Sequence, residues 1–225
     1  MIEIIAPYLT FWFKGAALTL GLAAVSFPVC VVLGLLVAFS TVSHNRVVST
    51  LAAAYINIFR GLPEIIVIFI AFYGSTVVLQ AAGKVFGFQI GVNPVSAAVL
   101  AMSFQFGSYT AVIFKDWIRT LPNGYMEAGL AIGMTRFQIR RRIVVPLVLR
   151  SATPALGNLF LVLLKISALA SLIGVEELSR TTNIIAGSTR DPLLCYAIAA
   201  VMYLAISAVS GLVQHGFEAA IERSR

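Results

Sequence analysis

Four stretches of this 225-residue chain, residues 15–45, 65–83, 85–114 and 192–217, contain no Lys, Arg, Asp or Glu. A fifth, 151–175, is interrupted only by Lys165. A helix needs about 20 apolar residues to cross about 30 Å of hydrocarbon, so each stretch can span a bilayer. They predict an all-α polytopic membrane protein, one domain over 1–225, with five transmembrane helices near 15–41, 62–82, 94–116, 152–175 and 192–217. Composition agrees: 11% of residues are charged, against about 25% in a soluble domain, too few to coat a water-exposed surface. The net charge of +7 therefore does not indicate a nucleic-acid binder, because the basic residues separate runs too long for soluble helices.

Residues 47–59 form an apolar piece too short to cross, ending at Arg60, Gly61 and Pro63. It reads as a broken lead-in to the second span, since Pro removes a donor and clashes with the preceding turn. With the N-terminus outside, the inner segments 42–50, 115–150 and 218–225 carry net charges of +1, +5 and 0, and the outer segments 1–14, 83–93 and 176–191 carry 0, +1 and −1. The positive-inside tendency favours this orientation. The apolar run behind Lys14 is too long for a cleavable signal core, so the first span is expected to stay in place. Cys30 and Cys195 fall inside spans, where a thiol behaves as a small hydrophobe. No metal set or catalytic triad assembles around His44, His215 or the cysteines. No internal repeat is apparent.

The segment 115–150 exceeds what a connector between packed helices requires. Leu130, Met134 and Phe137 recur at helical spacing, Glu127 suits the positive end of a helix dipole, and Gly133 permits a bend or a close backbone approach. Arg140, Arg141 and Arg142 follow, and Pro146 is expected to end the run. Such an apolar stripe must lie on lipid, fold back on the bundle or fill a groove on a partner.

Glu127-Ala128-Gly129, then Gly133, then Ile143-Val144-Val145-Pro146 resembles the EAA loop of bacterial ABC importer permeases, with Gly129 in place of Ala and Val145 in place of Leu. Arg60-Gly61-Leu62-Pro63 resembles the Arg-Gly-x-Pro signature of the polar amino acid subfamily, and Leu121-Pro122-Asn123-Gly124-Tyr125-Met126-Glu127-Ala128 its lead into the loop. Leu156-Gly157-Asn158, Leu164-Lys165, Ala168 to Gly174 and Glu177-Leu178 follow its fourth span. Many members read Lys-Asp-Thr-Ser-Leu where this chain has Lys165-Ile166-Ser167-Ala168-Leu169. That departure, with Glu64 after Pro63, resembles the branch handling histidine, basic amino acids or opines.

The resemblance implies a type I importer permease (MetI-like) fold in a bacterial inner membrane. It also implies a pair of ATPase subunits, a second permease, identical or homologous, with a homologue favoured because relatives of this branch often pair two different permeases, and a periplasmic solute-binding protein delivering an amino acid. The EAA loop, with Glu127, Ala128, Gly129, Leu130, Gly133, Met134, Phe137 and Pro146, would seat in grooves of the ATPases. The bare sequence agrees that energy comes from another chain: no G-x-x-x-x-G-K-[S/T] occurs, since Gly83-Lys84 is followed by Val85. No cofactor is expected.

Lys165 is the charge nearest mid-span, where insertion costs about 2.5–3.5 kcal/mol. It either faces the bundle interior and pairs with a carboxylate or carbonyls, or lines the pathway and meets a substrate carboxylate. Glu64 is either a first-turn carboxylate paired with Arg60 or, at a broken helix, a partner for a cationic substrate. Asn158, Ser167 and Ser171 either face a polar lumen or pack helix against helix. The competing functions are an ATP-independent channel or secondary amino acid carrier, against which the EAA spacing argues, and an intramembrane enzyme, which would need clustered catalytic groups.

Overall fold

The computed structural model describes residues 6–86 and 91–222, and among these every regular element is helical. The expected segments 1–14, 83–93 and 218–225 include residues 1–5, 87–90 and 223–225, which lie outside the described residues. A short 3₁₀ turn, Ala6–Tyr8, leads into α1, Leu9–Thr41. Asn45 then caps α2, Arg46–Gly61, its side chain accepting from the Val47 and Val48 amides, which satisfies donors that the first helical turn leaves free. After Pro63 come α3, Glu64–Phe69, a π-helical turn over Ile70–Gly74, and α4, Ser75–Phe86. Asn93 caps α5, Pro94–Thr120, in the same way as Asn45. Two short helices follow, α6, Gly124–Ala131, and α7, Arg136–Ile139. A π-helical segment, Arg140–Val144, joins α7 to α8, Val145–Ile166, which tightens into a 3₁₀ helix over Ser167–Ile173. The chain closes with α9, Leu178–Thr189, and α10, Pro192–Glu222.

Among the described residues, five stretches are long and apolar enough to cross a membrane: Leu9–Thr41, Glu64–Lys84, Pro94–Thr120, Arg136–Ile173 and Pro192–Ile221. The five spans are those expected from the sequence, but their ends are not. The first begins at Leu9 rather than residue 15, because an exposed Lys14 keeps its ammonium in water while its backbone stays helical. The third runs on to Thr120 and the fourth starts at Arg136 rather than residue 152. Helical hydrogen bonding continues past the hydrocarbon edge, where charges carry no penalty. Pro146 does not end the run. It sits in the first turn of α8, directly after the wider Arg140–Val144 turns, which fit the kind of ladder adjustment a missing donor needs. The outer segment 176–191, counted only as a connector, contains α9.

The core is built on α1 and α5, which share the most extensive interhelical contact. Their approach is set by small residues: a Cβ on Gly34 would stand 2.5 Å from Thr110 Cβ and 2.9 Å from the Ala111 amide nitrogen. Ala23, Ala38, Ala98, Ala101 and Ala111 are buried around them. In lipid, association draws on such close van der Waals packing rather than on hydrophobic transfer. Phe27 and Phe160 add an edge-to-face contact at 5.3 Å between ring centres, the favoured aromatic geometry. Cys30 and Cys195 are buried free thiols.

Candidate functional site: the loop after the third span and the broken second span

The loop between α5 and α8 is two helices at a sharp corner, not the one amphipathic helix the spacing of Leu130, Met134 and Phe137 suggested. Gly133, at φ 81°, takes the left-handed conformation that ends a helix most readily on glycine. The Met134 amide donates to the Gly129 carbonyl and the Gly133 amide to that of Leu130, both at 3.0 Å, the paired bonds of a Schellman cap. Thr135 then opens α7 with a capping box: its hydroxyl accepts from the Gln138 amide, and Gln138 Oε1 accepts from the Thr135 amide at 2.8 Å. The Thr-x-x-Gln pattern that announces this start is present in the sequence and was not read there.

Gly129 is buried where α6 meets α7. A Cβ there would lie 2.7 Å from Ile139 Cγ1, and Ile139 is fully buried. The helix after the corner is thereby pressed onto the bundle. Met134 packs inward against the cluster of Ile139, Val144 and Val148, whereas Ile132, which the sequence reading missed, is 77% exposed. With Leu130 and Phe137, also exposed, it forms an outward apolar surface. Glu127 and Ala128 are exposed beside it, as is Pro146 further on. Arg140 lies over the Phe39 ring, 5.6 Å from its centre, and His44 stands 3.4 Å from Arg136, tying α7 to the end of α1.

The lead-in to the second span breaks off at Arg60, Gly61 and Pro63: α2 stops at Gly61 and Leu62 is extended. The break is stabilised by Gln105 of α5, which no sequence signal pointed to. Its side-chain amide donates to the carbonyl of Phe59 and, at 3.0 Å, to that of Leu62, carbonyls freed where the helix ends. Arg60 does not pair with Glu64. Its guanidinium lies 5.5 Å from the Tyr109 ring centre, a cation–π contact, and His215–Glu218 is the sole ion pair among the described residues. The extended Leu62 and Pro63 between Arg60 and Glu64 remove the one-turn helical register that would bring them together.

Half-buried Glu64 heads α3 and lines, with Met102, Gln105, Phe106 and Ile166, a crevice too tight in this conformation to admit a water. Tertiary packing thus places Glu64 of the second span and Ile166 of α8 along the same crevice. Lys165 is next in sequence, in the last turn of α8 before the 3₁₀ segment. It is exposed, with the buried Leu164 before it and the buried Ser167 after it, and pairs with no carboxylate or carbonyl among the described residues. Asn158 is also exposed and Ser171 half-buried, but Ser167 is buried and donates to the Leu164 carbonyl at 2.7 Å, so it faces no lumen in this chain.

The carboxylate most removed from water is Glu177, matched in the sequence only as part of a motif. It caps α9, accepting from the Ser179 and Arg180 amides at 2.9 Å, and its Oε2 also accepts from Tyr203 at 2.9 Å and Thr19 at 3.2 Å. Burial pushes its carboxyl above the usual range, opposed in part by those two amides and the hydroxyls of Tyr203 and Thr19. Trp12 reinforces the junction by donating to Thr182 at 3.1 Å.

A family model described as the binding-protein-dependent transport system inner membrane component matches residues 30–223. The chain is 34% identical over 198 residues to the histidine/lysine/arginine/ornithine transport system permease protein HisQ of Escherichia coli (strain K12), covering 88% of this chain and 87% of that protein. It is 36% identical to the arginine ABC transporter permease protein ArtQ of Haemophilus influenzae, covering 91% and 90%, and 35% identical to the octopine transport system permease protein OccQ of Rhizobium radiobacter, covering 89% and 85%. Among solved structures, a crystal structure of an amino acid ABC transporter with histidines superposes with a TM-score of 0.81 at 27% identity over 98% of each chain. An inward-facing MetNI methionine ABC transporter shares the fold, with a TM-score of 0.72 at 20% identity over 96% of this chain and 98% of that one. The matches run nearly end to end through both the corner of the loop and the broken second span, and this multi-pass chain belongs to the family of binding-protein-dependent transport system inner membrane components, the permease subunits of ABC transporters.

Proposed function

We propose that this permease imports cationic amino acids or opines across a bacterial inner membrane by alternating access, driven by a separate pair of ATPase subunits and supplied by a periplasmic binding protein. The observation that carries the substrate class is the meeting of Glu64 with Ile166. Where the family pattern this chain resembles has Asp beside the fourth-span Lys, this chain has Ile166, and on this reading the carboxylate comes instead from the second span. Glu64 is half-buried and unpaired with any basic side chain among the described residues, so it is free to receive an ammonium or guanidinium. The relatives named for histidine, lysine, arginine, ornithine and octopine transport support the same class.

Coupling runs through Leu130, Ile132 and Phe137, exposed on a corner that Gly133 and the Thr135 cap hold rigid. That apolar surface fits a groove on an ATPase better than water. A second permease, homologous rather than identical, completes the pathway, a reading supported by the exposure of Lys165 and Asn158 on α8. Lys165 then contributes a cation able to hold the substrate carboxylate, with Ser171 nearby on the same span.

The test is uptake by the reconstituted complex challenged with histidine, arginine, lysine, glutamine and an opine. Transport of a cationic member is expected, with Glu64→Gln reducing preference for cationic over neutral substrates about tenfold, the value of one charge-assisted hydrogen bond. Unchanged preference would reject the role of Glu64, and solute movement without the ATPases would reject the mechanism.

A further inference from the structure

Between α1, α8 and α10 runs an open groove of about 520 Å³ lined by Leu20, Phe27, Leu156, Phe160, Val213 and Phe217. Toward the loop that carries α6 and α7 it meets a second hollow of about 150 Å³, lined by Trp117, Arg150, Ser151 and Glu218. Thr153 and Ile221 form wall to both, so the two are continuous. Their chemistry differs sharply. The first is apolar and lies on membrane-spanning stretches; the second holds one guanidinium and one carboxylate beside a tryptophan, the aromatic that gathers at headgroup depth. Gln214 stands at the junction, donating to Glu218 Oε1 at 2.8 Å, and the Glu218 side chain is only 19% exposed. His215 Nδ1 lies 3.3 Å from the other carboxylate oxygen, its own side chain being 77% exposed; a carboxylate has about four acceptor sites, so each oxygen keeps capacity for a further donor. Arg150 is exposed and has no ion-pair or hydrogen-bond partner among the described residues.

We propose that this composite site holds an ethanolamine phospholipid, one acyl chain in the groove, the phosphate on Arg150 and the ammonium on Glu218. A groove this apolar inside the spans matches hydrocarbon, and the paired charges select the headgroup. A phosphate satisfies the guanidinium, but a glycerol headgroup brings only neutral hydroxyls beyond that phosphate and no cation to meet Glu218. A choline headgroup brings a cation with no N–H to donate to that carboxylate. Ethanolamine supplies both a phosphate and three donors. The site is independent of the solute carried, so its test reads lipid and not transport.

The assembled transporter is incubated in detergent with equimolar ethanolamine, choline and glycerol phospholipids of identical chains, and the retained lipid is weighed by native mass spectrometry. Ethanolamine lipid is expected to be enriched about tenfold, the discrimination one charge-assisted hydrogen bond supplies. Glu218→Gln is expected to bring the ethanolamine-to-choline ratio toward one, Arg150→Ala to weaken all three, and Arg150→Lys to retain binding. Val213→Trp, which fills the groove from its exposed side, is expected to abolish retention without lowering the yield of complex. Equal retention of the three lipids by the unaltered protein overturns the proposal, as does a glycerol-lipid preference. Retention unaffected by Val213→Trp, or capture of another protein chain by a photo-crosslinker at position 213, overturns it too.

Discussion

Glu177 is fully buried with no basic partner among the described residues, and four hydrogen bonds take the place of a countercharge. Its oxygens join three elements: Thr19 on α1, the first turn of α9, and Tyr203 on α10. A carboxyl held above its usual range in the folded state binds its proton more readily there than when unfolded. Its stabilisation is therefore complete below the ordinary carboxylate value of about 4.3 and is lost as pH rises through the folded value. Thermal unfolding of the purified complex is expected to show a midpoint that declines from acid toward alkaline pH, and Glu177→Gln is expected to flatten that decline. An identical slope in the variant would exclude Glu177 as its source. Glu177→Ala, which strands buried hydroxyls and removes a helix cap, is expected to destabilise by about 1–3 kcal/mol at any pH. The sequence displayed this residue as one more acid in a polar segment, and only the packing of three distant elements around it turns it into a structural centre.

At the scale of elements, the corner between α6 and α7 is the part whose shape matters most, because its apolar tip is useful only if it is held rigid. Ile132→Ala and Phe137→Ala are each expected to weaken association with the ATPase subunits by about tenfold or more, as truncation of a central interface anchor does. Met134→Ala, an inward-packed residue, is expected to act on stability instead. Copurification of the ATPases and thermal midpoints separate these effects. Gly129→Val drives a side chain into Ile139 and is expected to cost about 1–3 kcal/mol locally through overpacking, read as substrate-stimulated ATP hydrolysis falling while the ATPases still bind. The Thr135-x-x-Gln138 cap and the left-handed preference of Gly133 were legible as local signals. What the sequence could not say is that the chain turns at Gly133, since Leu130, Met134 and Phe137 have the spacing of one continuous stripe. Helical spacing is a property of neighbours along the chain, whereas the exposure of Ile132 and the burial of Met134 depend on where the bundle lies.

For the molecule as a whole, α1 and α5 form the packed spine, and Lys165 and Asn158 stand exposed on α8. Lys165→Ala is expected to reduce substrate uptake by the reconstituted complex about tenfold while leaving the complex assembled on size-exclusion chromatography. Normal uptake would remove Lys165 from the pathway. A cation near mid-span is costly against lipid, so on the proposed reading the exposed Lys165 faces water or a partner.

The number of spans, the break at Arg60 to Pro63 and the family followed from sequence alone, because the absence of charge over about 20 residues and the backbone limits of proline are strict local constraints. Helix ends, the existence of α9, the corner at Gly133 and the company kept by Glu64, Gln105 and Glu177 were decided only by the tertiary structure. Each depends on which distant backbone or side chain satisfies a buried polar group, and hydrogen bonds between residues such as Thr19 and Glu177, 158 positions apart, leave no periodic trace in the order of amino acids.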